Sequence, residues 1–462
     1  MRSTHLYYGI FAAMLPVQLI QSLEGVKGFD KESFLRVHAS GSQVTSVRLN
    51  PSKHVSGEWS MLNEEAVPWC EHGRYLKERP FFTHDPLLHG GAYYVQEASS
   101  MFLWTVLHQT VGNATQGLKV LDLCAAPGGK STLLASYFTG GLLVSNEVIK
   151  SRASILVENL NKWGSDHVIV TNNDPKDFAA LQNYFDVIIV DAPCSGSGLF
   201  RRDAEAINEW SEDNVALCCQ RQQRILADVF PALKKDGILI YATCSYSAAE
   251  DENIGDFMCK TFEVESLPLK LHDDWNIVET ISKHKSYGYR FYPDKVKGEG
   301  FFIAAFRKTD GVERSLKAAT VLQVSKTEQA FTQAWLTKSP LFLFRQAENI
   351  IALPEVWKYD LAILQKQLYL RKAGVTVGAL KGKDLVPDHE LALSLLINAN
   401  INVTGVNKET ALSYLKRKDF RLENAPKGWN LLRYCGISIG WVKVLHNRIN
   451  NYYPVNWRIL KD

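Results

Sequence analysis

From about Lys119 onward, short continuous apolar runs alternate with stretches whose apolar residues recur every three to four positions. This is the pattern of strands buried on both faces and separated by amphipathic helices. KVLDLC (119–124) predicts a strand and PGGKSTLLASYF a helix; LLVSNEV predicts a second strand and KSRASILVENLNKWG a helix stopped by Gly164. The series continues with HVIVTNND, a short helix around Phe178 to Asn183, FDVIIVDAP, a long helix from about Asp213 to Leu233, and DGILIYATC, so five parallel strands are expected. Ser247 and Glu250 stand at capping-box spacing ahead of a helix reaching about Thr261, and FEVESL and GFFIAAFRK add two strands, read as an antiparallel edge. The terminal run WNLLRYCGISIGWVKVLHNRINNYYPVNWR alternates apolar and polar positions and predicts a small β-rich barrel. The expected fold class is α/β, with a doubly wound Rossmann-like domain at 111–309. A helical region at 1–110 precedes it, and a C-terminal α+β or β-barrel module at 310–462 follows.

Charge sharpens this division. The net charge of +3 over 462 residues conceals about +10 from Gly311 onward and about −7 before it, so the C-terminal third suits a polyanion. No run of about 20 apolar residues occurs, and no membrane span is expected. The start, MRSTHLYYGIFAAMLP, has one Arg and an apolar stretch broken by Tyr7, Tyr8 and Gly9, which argues against a signal peptide. Eight scattered cysteines then read as reduced thiols of a cytoplasmic protein.

Two of those cysteines end predicted strands, Cys194 in DAPCSGSG and Cys244 in ATCSYS. Ligands of open α/β sheets bind outside the carboxyl ends of the strands, so both thiols are expected to face one crevice. A disulfide and plain core packing are the alternatives. In VLDLCAAPGGKST, Gly128 and Gly129 permit close backbone approach, and the helix N-terminus that follows offers free N–H groups. A phosphate-binding P-loop matches only in part, because Cys124 stands in place of its first glycine and Pro127 removes a donor. Glu147, Asp174 and Asp191 end the next three strands. Carboxylates there suit the ribose diol and base of a nucleoside such as S-adenosylmethionine.

CAAPGGK, DAPCSGSG and ATCSYS, in this order and spacing, resemble the RNA cytosine-C5 methyltransferase family, and YYVQEASSM, RFYPD and GEGFFIAAF are also similar to its patterns. The resemblance covers most of residues 15 to 308. INNYYPVNWR, GWVKV and the residues around Pro387 to Leu393 are similar to the C-terminal PUA-like domain of the bacterial small-subunit ribosomal RNA branch, although Asn450 replaces a usual lysine. The resemblance implies S-adenosylmethionine as cofactor, held by Cys124, Ala125, Ala126, Pro127, Gly128, Gly129, Lys130, Glu147, Arg152, Asp174 and Asp191. C5 of cytosine is too weak a nucleophile to attack a sulfonium methyl directly, so a thiolate must first add at C6. By its match to the family's TC motif, Cys244 is that nucleophile. Cys194 of the PC motif assists elimination, and Asp191 hydrogen-bonds N3 and the exocyclic amine. DNA cytosine methyltransferases use the PC cysteine instead, so the assignment rests on the family match. Amino-group methylation is disfavoured, because Asp-Ala-Pro-Cys stands where such enzymes carry an Asn-Pro-Pro-Tyr clamp.

The expected partner is ribosomal RNA, 16S, or the small ribosomal subunit; a monomer without metal or membrane contact is expected. Arg48 and Lys53 in SVRLNPSK, and Arg74, Lys77 and Arg79 in HGRYLKERPFF, read either as phosphate contacts or as solvated surface. Arg433, Lys443, Arg448 and Arg458 are expected to point outward from the terminal module, while Trp441 reads as either core or RNA-stacking. Two other functions stay open: a non-catalytic RNA-binding assembly factor on the same scaffold, and tRNA as substrate.

Overall fold

The computed structural model describes residues 15–57, 65–311 and 316–460, so nearly all of the segment read for a signal peptide lies outside the described residues. The N-terminal region is not purely helical. After the helices Val17–Leu23 and Lys31–Ala39, strands β1 (Thr45–Leu49), β2 (Gly73–Leu76) and β3 (Tyr93–Val95) form an antiparallel sheet in the order β2-β1-β3. Strands of three to five residues leave too short an alternation to be read from sequence.

Strands β4 (Lys119–Asp122), β5 (Leu142–Asn146), β6 (Val168–Thr171), β7 (Phe185–Asp191) and β8 (Leu233–Thr243) are parallel, in the order β8-β7-β4-β5-β6. Both faces are covered, which explains the unbroken apolar runs. Val187 and Ile189 enter one core, and Ile188 and Val190 enter the other. Past β8 the chain adds β9 (Val264–Ser266), β10 (Val278–Ile281), β11 (Tyr287–Phe291) and β12 (Phe301–Lys308). β12 runs antiparallel between β8 and β11 and is interior, while β9 pairs with its end. Neighbours β5 and β7 leave β4 on opposite sides, and a doubly wound sheet opens its ligand crevice at such a reversal.

Three local expectations change. The helix expected near 178–183 is a 3-10 turn at Pro175–Ala180, capped reciprocally by Asp174 and Asp177. The long helix is Glu212–Val229, with Pro231 unable to continue its ladder. Ser247 and Glu250 form no capping box. The helix there is Glu252–Thr261, and its N-cap, Asp251, makes no side-chain cap bond.

Beyond Gly311 the chain forms a four-stranded sheet from Leu341–Gln346, Asn349–Pro354, Val375–Lys381 and Asp384–Pro387. A second contains Val403–Gly405, Gly428–Tyr434, Ile437–Val444 and Ile449–Asn451. The strand Leu370–Ala373 leaves this region to pair antiparallel with β6, and Phe344, Trp357 and Leu361 join the core beneath β7. Trp441 is fully buried, its indole N–H donating to Asp388 O at 2.8 Å, which decides it as core. Among the described residues no helix is long and apolar enough to cross a membrane.

Candidate active site

β4 ends at Asp122, and the loop from Leu123 reaches Gly128, whose φ of +118° places it in a region other residues rarely adopt, before the helix Gly129–Tyr137 begins. Two side chains from the helix Lys150–Trp163 pin this loop. Arg152 donates to Ala126 O and Asn159 to Pro127 O, each at 2.8 Å. Arg152 also lies 3.6 Å from Glu147, whose Oε1 accepts the Ile149 N–H at 2.9 Å. Below the loop, burial pushes the Asp122 carboxyl up to about 7 although Ser131 donates to it at 2.7 Å.

Asp191 ends β7 and pairs with Lys130 at 2.7 Å. Burial alone would lower the Lys130 ammonium, but the carboxylate outweighs it and holds the group above its ordinary value. The next parallel strand, β8, carries Cys244 just past its end. Because Asp191 pairs in register with Ala242, the loops beyond the two strands lie side by side. Cys194 and Cys244 are free thiols whose sulfurs are 3.2 Å apart. The contact with Cys244, burial and the nearby Glu250 push the Cys194 thiol well above its ordinary value.

A cavity of about 380 Å³ opens here, lined from the sheet side by Cys124, Ala125, Ala126, Pro127, Gly129, Lys130, Arg152, Asp191 and Cys244. Tyr94, Gln96 and Glu97 of the N-terminal region and Glu299 and Phe301 at the start of β12 close the other side. Four expected site residues stand back from it. Gly128 backs onto Leu156, and Glu147 is buried beside Arg152. Cys194 sits behind Cys244, and Asp174 caps its 3-10 turn and pairs with Arg224 at 3.2 Å.

Arg48 and Lys53 are not phosphate contacts. Arg48 is fully buried, donating to Gln96 Oε1 and Thr132 Oγ1 and stacking on Trp163, and so ties β1 to the helix after the glycine loop. Lys53 donates to the carbonyls of Gly90 and Lys162, and burial lowers its ammonium to about 7. Arg74 donates to the carbonyls of Glu71 and Gly73.

Sequence reasoning missed two carboxylates. Glu299 lines the cavity with Oε1 unpartnered and its carboxyl pushed up to about 7 by burial, against the pull of Arg201. Glu250 is fully buried between the loops of the two cysteines. Glu250 was visible only as a capping residue, since the Ser-x-x-Glu spacing also fits that role. Nothing local marked Glu299 beyond its place in GEGFF. Among the described residues no cluster of metal-binding side chains occurs.

Residues 110–307 match the family described as 16S rRNA methyltransferase RsmB/F. Residues 15–98 match the N-terminal domain of 16S rRNA methyltransferase RsmF, and 401–459 the methyltransferase RsmF PUA domain. The chain is 32% identical over 415 residues to ribosomal RNA small subunit methyltransferase F of Psychromonas ingrahamii, spanning 84% of each chain. It is 30% identical to the Vibrio atlanticus protein of that name, over 84% of this chain and 85% of the relative. A solved methyltransferase homolog protein from Pyrococcus horikoshii is 29% identical with a TM-score of 0.51, over 64% of this chain and 100% of that one. NSun6 from the same organism, 17% identical with a TM-score of 0.52 over 64% of this chain and 98% of its own, is alike in fold alone.

Proposed function

Because the chain belongs to the RsmB/F family of 16S rRNA methyltransferases, we propose that it methylates C5 of a cytosine in small-subunit ribosomal RNA, with S-adenosylmethionine as methyl donor. The observation that carries this reading is the pair of free thiols 3.2 Å apart at the carboxyl ends of the adjacent parallel strands β7 and β8, beside Asp191 and its ion-pair partner Lys130 from the helix after β4.

The donor set fits the cofactor. The loop Cys124–Gly129 and the helix N-terminus after it present backbone to the cavity, and Glu147, beside Arg152, offers a carboxylate for the ribose hydroxyls. S-adenosylmethionine, when bound, supplies an electrophilic methyl group. Cys244, the thiol that lines the cavity, adds to C6 of the target cytosine. Asp191, held by Lys130, accepts a hydrogen bond from the exocyclic amine of the base and so fixes its orientation. Once C5 carries the methyl group, the C5 proton leaves and the Cys244 sulfur departs, with Cys194 assisting.

RNA is brought by the flanking regions. A basic hollow of about 650 Å³ in the terminal module, lined by Arg417, Arg421 and Arg448 with Phe420, offers phosphate and stacking contacts. In this reading the protein acts as a cytoplasmic monomer, with a methyltransferase unit at 111–309 between RNA-binding parts. Bisulfite sequencing of total RNA from a deletion strain tests it. One 16S cytosine is expected to lose its protection, whereas protection lost only in tRNA, or nowhere, would overturn the reading.

A further inference from the structure

Glu250 is fully buried, and its two carboxylate oxygens accept four hydrogen bonds. Oε1 takes the Ser195 backbone N–H at 2.8 Å and the Gln222 amide at 3.1 Å; Oε2 takes the hydroxyls of Ser195 at 2.5 Å and Ser245 at 2.7 Å. Ser195 follows Cys194 and Ser245 follows Cys244, so one side chain grips the residue after each thiol. Gln222 also donates to Pro193 O at 3.1 Å, and Tyr241 on β8 donates to the Glu250 carbonyl at 2.6 Å. The two cysteine loops, β8 and the helix Glu212–Val229 therefore meet on this residue.

Its donors are all neutral. The adjacent Asp251 and Glu252 take Arg290 as partner, at 3.2 and 2.5 Å, while Glu250 takes only amide and hydroxyl groups. Burying a carboxylate without a cation is costly, and a glutamine would fill the same space with less desolvation. A charge kept under that penalty acts on its neighbours. It acts on the thiols of Cys194, Cys218 and Cys219, while Lys130 and Asp191 form their ion pair on the Cys244 side.

We propose that Glu250 is a positioning residue that locks the Cys194 loop to the Cys244 loop and, by its negative charge, keeps Cys194 in the thiol form as hydrogen-bond donor to the departing Cys244 sulfur. The inference rests on the reaction proposed above. In the elimination, the C5–H bond breaks and its proton passes to water, while its electron pair forms the C5=C6 double bond. The C6–S bond breaks, and its electron pair goes to Cys244 Sγ, which leaves as a thiolate accepting a hydrogen bond from the Cys194 S–H at 3.2 Å. The direction of the Cys194 shift agrees with this, since its contact with Cys244, burial and Glu250 all push the thiol up. The other titratable groups around this pair are Tyr241 on β8 and Cys218 and Cys219 on the helix Glu212–Val229.

The test is alkylation of Cys194 by iodoacetamide against pH, read by peptide mass in the full chain, in a Cys244→Ser background so that one active-site thiol reports. Glu250→Gln is expected to lower the midpoint and to speed alkylation at pH 8 by at least about threefold. Ser245→Ala, which removes a hydrogen bond but keeps the charge, is expected to leave the midpoint in place. With Cys244 intact, Glu250→Gln is expected to lower kcat by about tenfold, equivalent to ~1.4 kcal/mol, with KM for RNA within about twofold and with covalent protein–RNA adduct accumulating. An unchanged midpoint in folded Glu250→Gln, or an equal drop in Ser245→Ala, overturns the inference. If Glu250→Gln does not fold, Ser195→Ala and Ser245→Ala decide: reduced kcat at constant KM supports the positioning role, and unchanged kcat overturns it. Wild-type protein that methylates no RNA would remove the reaction while leaving the alkylation result standing.

Discussion

Replacing Cys244 by alanine removes the sulfur that adds to C6 but leaves the loop Cys124–Gly129 and its Arg152 clamp in place. Methylation is expected to vanish while S-adenosylhomocysteine binds as before by calorimetry; residual turnover would assign the nucleophile elsewhere. Cys194→Ala leaves attack possible and slows elimination, so a covalent RNA adduct should appear as a shifted band on a denaturing gel. The same band from Cys244→Ala would reverse the two roles. Glu147 is buried beside Arg152, which lines the cavity, and Glu147→Ala is expected to weaken S-adenosylhomocysteine binding by about 1.5 to 3 kcal/mol, roughly ten- to a hundredfold. Unchanged affinity would take Glu147 out of the cofactor site. The cysteines, Asp191 and Lys130 were legible because strand ends are marked locally by the change from apolar run to Gly, Pro and Ser. Glu250 was not, since its four donors come from segments up to 55 residues away in the chain.

The helix Lys150–Trp163 is the element that joins the cofactor loop to the N-terminal sheet. Its Arg152 and Asn159 hold Ala126 and Pro127, and its last carbonyls are taken up by Asn50 and Lys53, which donate to Trp163 O and Lys162 O. Gly91 packs directly on that end. At φ +67°, a Cβ there would lie 1.7 Å from Lys162 O, with backbone on both sides and no room to yield. Gly91→Ala is therefore expected to destabilise the protein by more than about 1 kcal/mol, seen as a lower denaturant midpoint; an unchanged midpoint would mean that the two regions dock less tightly than their contacts indicate. The helix itself was readable from its period and its terminal Gly164. The inward-facing roles of the buried Arg48 and the half-buried Lys53 at its end were not, since a basic residue in a short strand or turn reads as surface until its partners are known.

At the scale of the whole chain, the C-terminal third is continuous with the sheet it follows. A truncation after Gly311 would strip Leu370–Ala373 from the edge of β6 and withdraw Phe344, Trp357 and Leu361 from a shared core, so it would confound RNA binding with stability. Point changes separate them. Arg421 and Arg448 are exposed on the basic hollow, and replacing both by alanine is expected to weaken RNA binding and to reduce the slope of log affinity against log salt by about 0.7 to 0.9 for each phosphate no longer neutralised. Affinity for S-adenosylhomocysteine should stay as it was. An unaltered salt slope would place RNA on another face.

The five parallel strands and the two cysteine loops followed from local pattern, because apolar runs, turn residues and motif spacing are properties of neighbouring residues. Neighbour order, the interior place of β12 and the strand Leu370–Ala373 on the edge of β6 depended on contacts between distant segments, which periodicity does not encode. The same distinction holds in the site. Chain-local spacing put Cys194 and Cys244 at strand ends, but the pairing of β7 with β8 brought their sulfurs together, and the folding of a third segment onto both loops turned Glu250 from a helix cap into their common anchor. Burial and charge belong to that tertiary arrangement, since a side chain's solvation is set by whatever packs over it.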